Sequence, residues 1–356
     1  MRSGRTWRRF LLLLAAILAC NAADLDPARW RVHGDTPTYL MSRQRLGLVA
    51  EALPSADSEL LVDDTRLYYR RGAVYANAAL VAGIRSLGLR GAWAMRAYQL
   101  ACALVVAASL AALGARTRLL PLLALATSPV ILSVARQGVS ETWAIGLLAL
   151  AWSLLDVRRV WADTALGLVS LALLLVRYEC WPLLVVLCVA RGRVPALGGL
   201  ALVAAALATR KPEFLLPWRY LSTMARIQVL VYPRRFWWHN PARLALAVLP
   251  ALPALAGAPR RLALAGLVAY AGAAVLAPTA LDARMFAPAV AIIPAVVRRP
   301  HRRAWVLAVL VLIANVVVAN RHVVPEDKPF FARTSVGAEQ PRDHWAEDCW
   351  QSAFGP

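Results

Sequence analysis

Gly72-Ala73-Val74-Tyr75-Ala76-Asn77-Ala78-Ala79-Leu80-Val81-Ala82-Gly83-Ile84-Arg85-Ser86-Leu87-Gly88-Leu89 is the stretch on which the topology of this chain turns. It is apolar enough to suggest a membrane span, but Asn77 and Arg85 interrupt it and leave no clean core of about 18 apolar residues. The stretch therefore reads as an interfacial or re-entrant helix. The rest of the chain supports this reading through its charges. If 72–89 does not cross, the later apolar runs alternate so that the compact basic groups fall on one side: Arg116/Arg118, Arg158/Arg159, Arg191/Arg193, Arg260/Arg261 and Arg298/Arg299/Arg302/Arg303. With Arg2, Arg5, Arg8 and Arg9 they make sixteen bases against only Asp156 and Asp163, the asymmetry expected of the inner face.

Composition sets the class. Of 356 residues, 60% are hydrophobic, in many separate runs, and the mean hydropathy is +0.55. That predicts an all-α, polytopic transmembrane protein with interfacial helices in a large first outer loop. A net charge of +20 raises the question of nucleic acid, but the arginines sit in short groups between apolar runs, so topology accounts for them and no nucleic-acid partner is expected. Cys20, Cys102, Cys180, Cys188 and Cys349 contain no CxxC pair and offer neither a metal site nor a disulfide framework.

About eleven crossings follow, at 10–24, 97–114, 119–135, 141–156, 162–176, 178–190, 195–209, 242–258, 262–278, 285–297 and 304–319. The organisation is a first helix at 1–24, a first outer loop at 25–96, a multi-span core at 97–320 with an outer loop at 210–241, and an outer tail at 321–356. The first apolar run, 10–23, spans only about 21 Å at 1.5 Å per residue. An uncleaved anchor would need Trp7 or residues beyond Ala23 to cross, and the anchor is favoured over a cleaved signal peptide. A multi-pass location in the cell inner (plasma) membrane follows, with the bilayer as the first partner.

Within the first loop, His33-Gly34-Asp35-Thr36-Pro37-Thr38-Tyr39-Leu40 puts an acid just past the first helix, at the outer surface. Asp35 there can act as a general base. Equally, Asp35 or Thr36 can cap a helix with Pro37 in its first turn. Other ionisable groups gather at outer span ends: Asp63/Asp64 with Tyr68, Tyr69, Arg70 and Arg71, then Arg136 with Glu141, Arg177 with Glu179, and Asp282 with Arg284. Any one of them could simply snorkel to the interface, yet the inner side holds no comparable set of acids.

In their order these motifs resemble the GT-C-type integral membrane glycosyltransferases, which use polyprenyl- or dolichyl-phosphate sugars. The resemblance covers about residues 10–320. Asp35 stands where those enzymes carry an acid after the first helix. Tyr68-Tyr69-Arg70-Arg71-Gly72-Ala73-Val74-Tyr75 is similar to their aromatic and basic lead into an amphipathic helix. Ser140-Glu141 resembles a Ser-Glu pair opening an outer-end helix, and Arg177-Tyr178-Glu179 an Arg-Tyr-Glu before an apolar run. Arg284-Met285-Phe286-Ala287-Pro288 approximates a late Arg-aromatic-x-x-Pro.

The resemblance implies an inverting transferase that moves sugar from a polyprenyl-phosphate carrier to an acceptor hydroxyl of unspecified identity. Asp35 would be the base and Glu141 would position the acceptor or a metal. Arg284 would grip the donor phosphate with help from Arg71, while Arg177, Glu179 and Asp282 complete the binding set. Asp35 has Gly34 and Thr36 as neighbours, so an Asp-x-Asp or Asp-Glu metal pair is missing there; no cofactor is expected with certainty, and a divalent cation is left open. Two other classes fit the same apolar pattern. A carrier of lipids or solutes would place charges mid-span on discontinuous helices, and a non-catalytic assembly subunit would need none of Asp35, Glu141 or Arg284.

Overall fold

The computed structural model describes residues 2–22, 71–193, 236–255, 257–275, 283–300 and 304–320. These residues are mostly helical. The helices are α1 (Arg2–Cys20), α2 (Arg71–Ser86), α3 (Gly91–Leu113), α4 (Leu119–Ala126), α5 (Pro129–Gln137), α6 (Ser140–Leu154), α7 (Val160–Arg177) and α8 (Trp181–Arg191). They continue as α9 (Phe236–Val248), α10 (Leu252–Leu255), α11 (Arg261–Val275), α12 (Ala287–Ala291), α13 (Ile293–Val296) and α14 (Ala304–Asn320). The all-α expectation needs one amendment: β1 (Gly257–Pro259) and β2 (Val297–Pro300) form an antiparallel pair.

Most expected runs fall on helices, but the count of eleven crossings is not carried by them, and run 195–209 lies outside the described residues. Among the described residues two helices, α3 and α7, are long and apolar enough to cross a membrane, and α4 with α5 makes a third if that pair, bent by 65°, is one span. At 1.5 Å per residue α3 is about 35 Å long and α7 about 27 Å, against a hydrocarbon thickness of about 30 Å. Proline is the reason that several other runs fall short, since it removes a backbone donor and clashes with the preceding turn. Pro250 and Pro253 divide the run after α9 into a 3-10 turn and α10, and Pro288 and Pro294 divide 283–296 into a 3-10 turn, α12 and α13. Ser128 restarts the chain after α4 by accepting from the Ile131 amide (3.4 Å) with Pro129 behind it, which sets the bend.

The core lies between α1, α3, α5, α6 and α7. Small residues let these helices approach closely. Ala103, Ala107 and Ala111 repeat every fourth residue on α3 and are buried with Leu13 and Ile17 of α1. A β-carbon on Gly146 of α6 would lie 3.1 Å from Val105 of α3, and one on Gly72 of α2 would lie 2.8 Å from Val176 of α7. By contrast α14 leaves Trp305, Val306, Leu310 and Ile313 exposed, and α7 leaves Trp161 and Leu168 exposed.

Contacts between elements sort into two ends of the bundle. At one end Arg9 donates to the carbonyls of Gly114 (3.0 Å) and Ala115 (2.6 Å), and Thr117 donates to that of Pro294 (3.1 Å). Asp156 pairs there with Arg191, and Asp163 with Arg193. At the other end Asn21 donates to the Leu132 carbonyl (3.4 Å), Glu141 meets Arg177, and Asn240 donates to the Val275 carbonyl (3.2 Å). Between the two ends Asn315 donates to the carbonyl of Ala124 (2.7 Å). Because Arg9 reaches the C-terminal end of α3 while the rest of α1 packs on that helix, α1 and α3 run antiparallel.

Candidate functional site

The end of the bundle that holds the starts of α3 and α6 and the end of α7 carries the buried charges. Its frame is a clamp on α2. Asn77 is fully buried and satisfied, since its amide nitrogen donates to the carbonyls of Ala73 (2.9 Å) and Gly138 (2.9 Å) and its oxygen accepts from the Tyr98 hydroxyl (2.6 Å). Ala73, Asn77, Val81 and Ile84 make one buried face of α2, which packs on α3 and α7 while Tyr75 stays exposed. So Asn77, which breaks the apolar run in sequence, is a tertiary tie rather than an exposed polar group. Gly138 caps α5 in the left-handed region (φ +58°), and a β-carbon there would fall on the Tyr98 hydroxyl. The clamp thus fixes the turn from which α6 starts.

Two residues past that turn, Ser140 and Glu141 open α6. Arg177 closes α7 beside them. The Arg177 Nη1 lies 2.6 Å from Glu141 Oε1 and donates to the Ser140 Oγ at 3.0 Å, while the Ser140 hydroxyl donates to Glu141 Oε2 at 3.1 Å. The Glu141 side chain is 0% exposed and that of Arg177 3%. Both carboxylate oxygens are thereby engaged, and a carboxylate so held orients a guanidinium better than it accepts a proton. Sequence proximity suggests Arg136 with Glu141 and Arg177 with Glu179; the structure joins Glu141 to Arg177 across two helices.

The 3-10 turn Tyr178–Cys180 follows directly, ahead of Pro182, and carries Glu179. Tyr270 of α11 lies beside this turn, near Cys180, Arg177 and Glu179. Next to it, Trp181 Nε1 donates to the Ser170 Oγ at 2.9 Å. Sequence reasoning did not single out Tyr270. The signal available was a lone tyrosine in an otherwise apolar helix, a pattern that in lipid usually marks a polar partner.

Arg284 is buried in the 3-10 turn Ala283–Phe286, which packs against α5 and α9, while α12 behind it packs against α6. The fold therefore brings Glu141, Arg177, Glu179 and Arg284 to the same end of the bundle. Arg136 joins them from the last turn of α5, where a cation complements the helix dipole. Arg71 opens α2 at this end. Asp35 and Asp282, with Asp63, Asp64, Tyr68, Tyr69 and Arg70, lie outside the described residues. Among the described residues no group of three His, Cys, Asp or Glu side chains is placed to hold a metal ion.

Compared with known proteins, the chain matches no family model, no curated protein and no solved structure.

Proposed function

We propose that this chain is an inverting, multi-pass membrane glycosyltransferase of the GT-C type, working at the outer ends of its helices on a polyprenyl-phosphate sugar. The observation that carries the reading is the convergence of buried Arg177 and Arg284 at one end of the bundle, with Glu141 and Ser140 holding Arg177 in place. Guanidiniums at a helix end can fork onto a lipid-linked phosphate as it leaves, and burial strengthens that contact. In this scheme Glu141 is a positioning residue. Asp35 takes the proton from the acceptor hydroxyl, since one carboxylate suffices for a single inverting displacement. Sidedness rests on the arginines: the opposite end carries the basic groups that favour the inner face.

A transporter reading draws on one feature, the discontinuous helices bent by 65° at residues 127–128 or broken at proline, because carriers use such breaks around a mid-membrane site. The ion pairs described here lie at helix ends instead, which favours the transferase.

The deciding experiment is transfer from a panel of labelled polyprenyl-phosphate sugars by purified protein and two variants. Asp35→Asn keeps the shape and the capping ability but removes the proton acceptor, so turnover is expected to fall by a factor on the order of 100 or more. Arg284→Lys keeps the charge and loses the fork, so donor KM is expected to rise more than kcat falls. Undiminished transfer by Asp35→Asn removes that residue from the mechanism.

A further inference from the structure

Gln99 follows Tyr98 in α3 and is 2% exposed, yet among the described residues neither its Oε1 nor its Nε2 has a hydrogen-bond partner. A helix turns by about 100° per residue, so the two side chains leave α3 on different faces. Tyr98 and Cys102 are buried with Val81 and Ile84 of α2. Ala103, Val106 and Leu110 continue the stripe of Gln99 at helical spacing and are buried with Leu13 and Ile17 of α1 and with Val130 and Val134 of α5. Gln99 therefore belongs to the face of α3 turned to the interior of the bundle, level with the clamp that joins Tyr98, Asn77 and Gly138. An amide buried there without a partner costs the fold free energy, because it has given up its water and gained nothing in return. Methionine or leucine at this position would form the helix as well, so helix propensity does not account for a glutamine.

Its place in the bundle and its chemistry say what it is kept for. The clamp fixes the turn from which Ser140 and Glu141 start, so Gln99 lies at the end of the bundle where Arg177 and Arg284 are buried. α5, which packs on α3, packs also against the 3-10 turn that carries Arg284. The amide has two N–H donors and one acceptor in a single plane. A phosphate only accepts, which suits the guanidiniums, and a prenyl chain does neither. Adjacent hydroxyls of a sugar both donate and accept, so they can take up both ends of the amide. A site built in this way also rejects a sugar that lacks the matching hydroxyl, since the amide is then left buried and unmatched.

We propose that Gln99 binds hydroxyls of the sugar on the lipid-phosphate carrier and is a specificity-determining residue of the donor site. This rests on the transferase reading and adds the sugar subsite to it. The guanidiniums hold the phosphate, and the amide reads the group attached to it. Without donor the amide is a cost to the fold, so an apolar residue at 99 is expected to stabilise the free protein.

Thermal unfolding of the whole protein in detergent tests this, for the wild type and Gln99→Met, each alone and with geranyl phosphate, geranyl-phosphate mannose or geranyl-phosphate glucose. Methionine keeps the length of the side chain and removes both polar atoms. Without ligand the midpoint of Gln99→Met is expected to rise. Geranyl phosphate is expected to protect both proteins alike. At least one of the two sugar derivatives is expected to protect the wild type further, and its half-saturating concentration to rise on the order of tenfold in Gln99→Met. A lower midpoint for ligand-free Gln99→Met, or its failure to fold, overturns the proposal, because the amide then serves the fold through a buried water. Extra protection by the sugar that is undiminished in Gln99→Met overturns it too and leaves the donor reading standing. Equal protection of the wild type by all three ligands means that no sugar is read and overturns it as well. If none of the three protects the wild type, the donor reading falls and the role of Gln99 falls with it.

Discussion

The two ends of this bundle handle charge in opposite ways. At one, Glu141 and Arg177 are sealed in the core, 0% and 3% exposed, and share a hydroxyl between them. At the other, Asp156 and Asp163 are 55% and 56% exposed, and the arginines outnumber them. A sealed pair is expensive to desolvate and is kept where geometry matters, whereas an open pair costs little and contributes little. The contrast teaches that exposure and pairing say more than charge type: among the described residues, the end with Glu141 and Arg177 has the preorganised groups, while the acids at the opposite end stay open to water.

The assignment of ends can be broken outright. On a background with Cys20 and Cys349 replaced, single cysteines at Ser55, Ala92 and Ala115 report sidedness to an impermeant maleimide. Ala115 serves because it is exposed, unlike the buried Thr117 next to it in the same turn. Labelling of 55 and 92 in intact cells, and of 115 only after permeabilisation, is the expected pattern. If 92 behaves as 115 does, 72–89 crosses, and Glu141 and Arg177 move to the inner face with the loss of the proposed site.

A smaller and more local test concerns the sealed pair. Arg177→Met leaves the Glu141 carboxylate buried without its main partner, and the expected loss is about 3–5 kcal/mol of stability. Replacing both residues, Glu141→Leu with Arg177→Met, is expected to recover most of that loss, because two apolar side chains need no pairing. Unfolding of the purified variants measures both. If the double variant is stable yet transfers no sugar, the pair is kept for function. A double variant that transfers normally makes the pair a packing feature and removes the main support for the proposed site.

How far the sequence foresaw these ends differs between helices and side chains. Apolar runs and proline positions place most segments, because backbone preference is local: Pro129 and Gly138 bracket α5, and Gly192 ends α8 in the left-handed region. Crossing counts fare worse, because the same prolines split the runs around Pro250, Pro253, Pro288 and Pro294 into pieces too short to span. The site is legible in its membership, with Glu141, Arg177 and Arg284 all at one end, but not in its pairing. Residues adjacent in sequence looked like partners, while Glu141–Arg177 and Asn77–Tyr98 each join different elements and depend on helix rotation, which no local pattern encodes.

The smallest expected effect sharpens the comparison from the open side. Asp163 sits in the first turn of α7, where an acid favours the helix dipole, and its Oδ1 lies 2.7 Å from Arg193 Nη2. Water screens both contributions, so Asp163→Asn is expected to cost less than about 1 kcal/mol. At about 1 M salt the Debye length shrinks to about 3 Å, so that cost should largely disappear, while the loss from Arg177→Met should persist because salt screens a buried pair far less than an exposed one. Melting both variants at low and high salt reads the difference directly. A salt-independent cost for Asp163→Asn would mean that its pair with Arg193 is as shielded from water as Glu141 with Arg177, and the contrast in exposure between the two ends would fail.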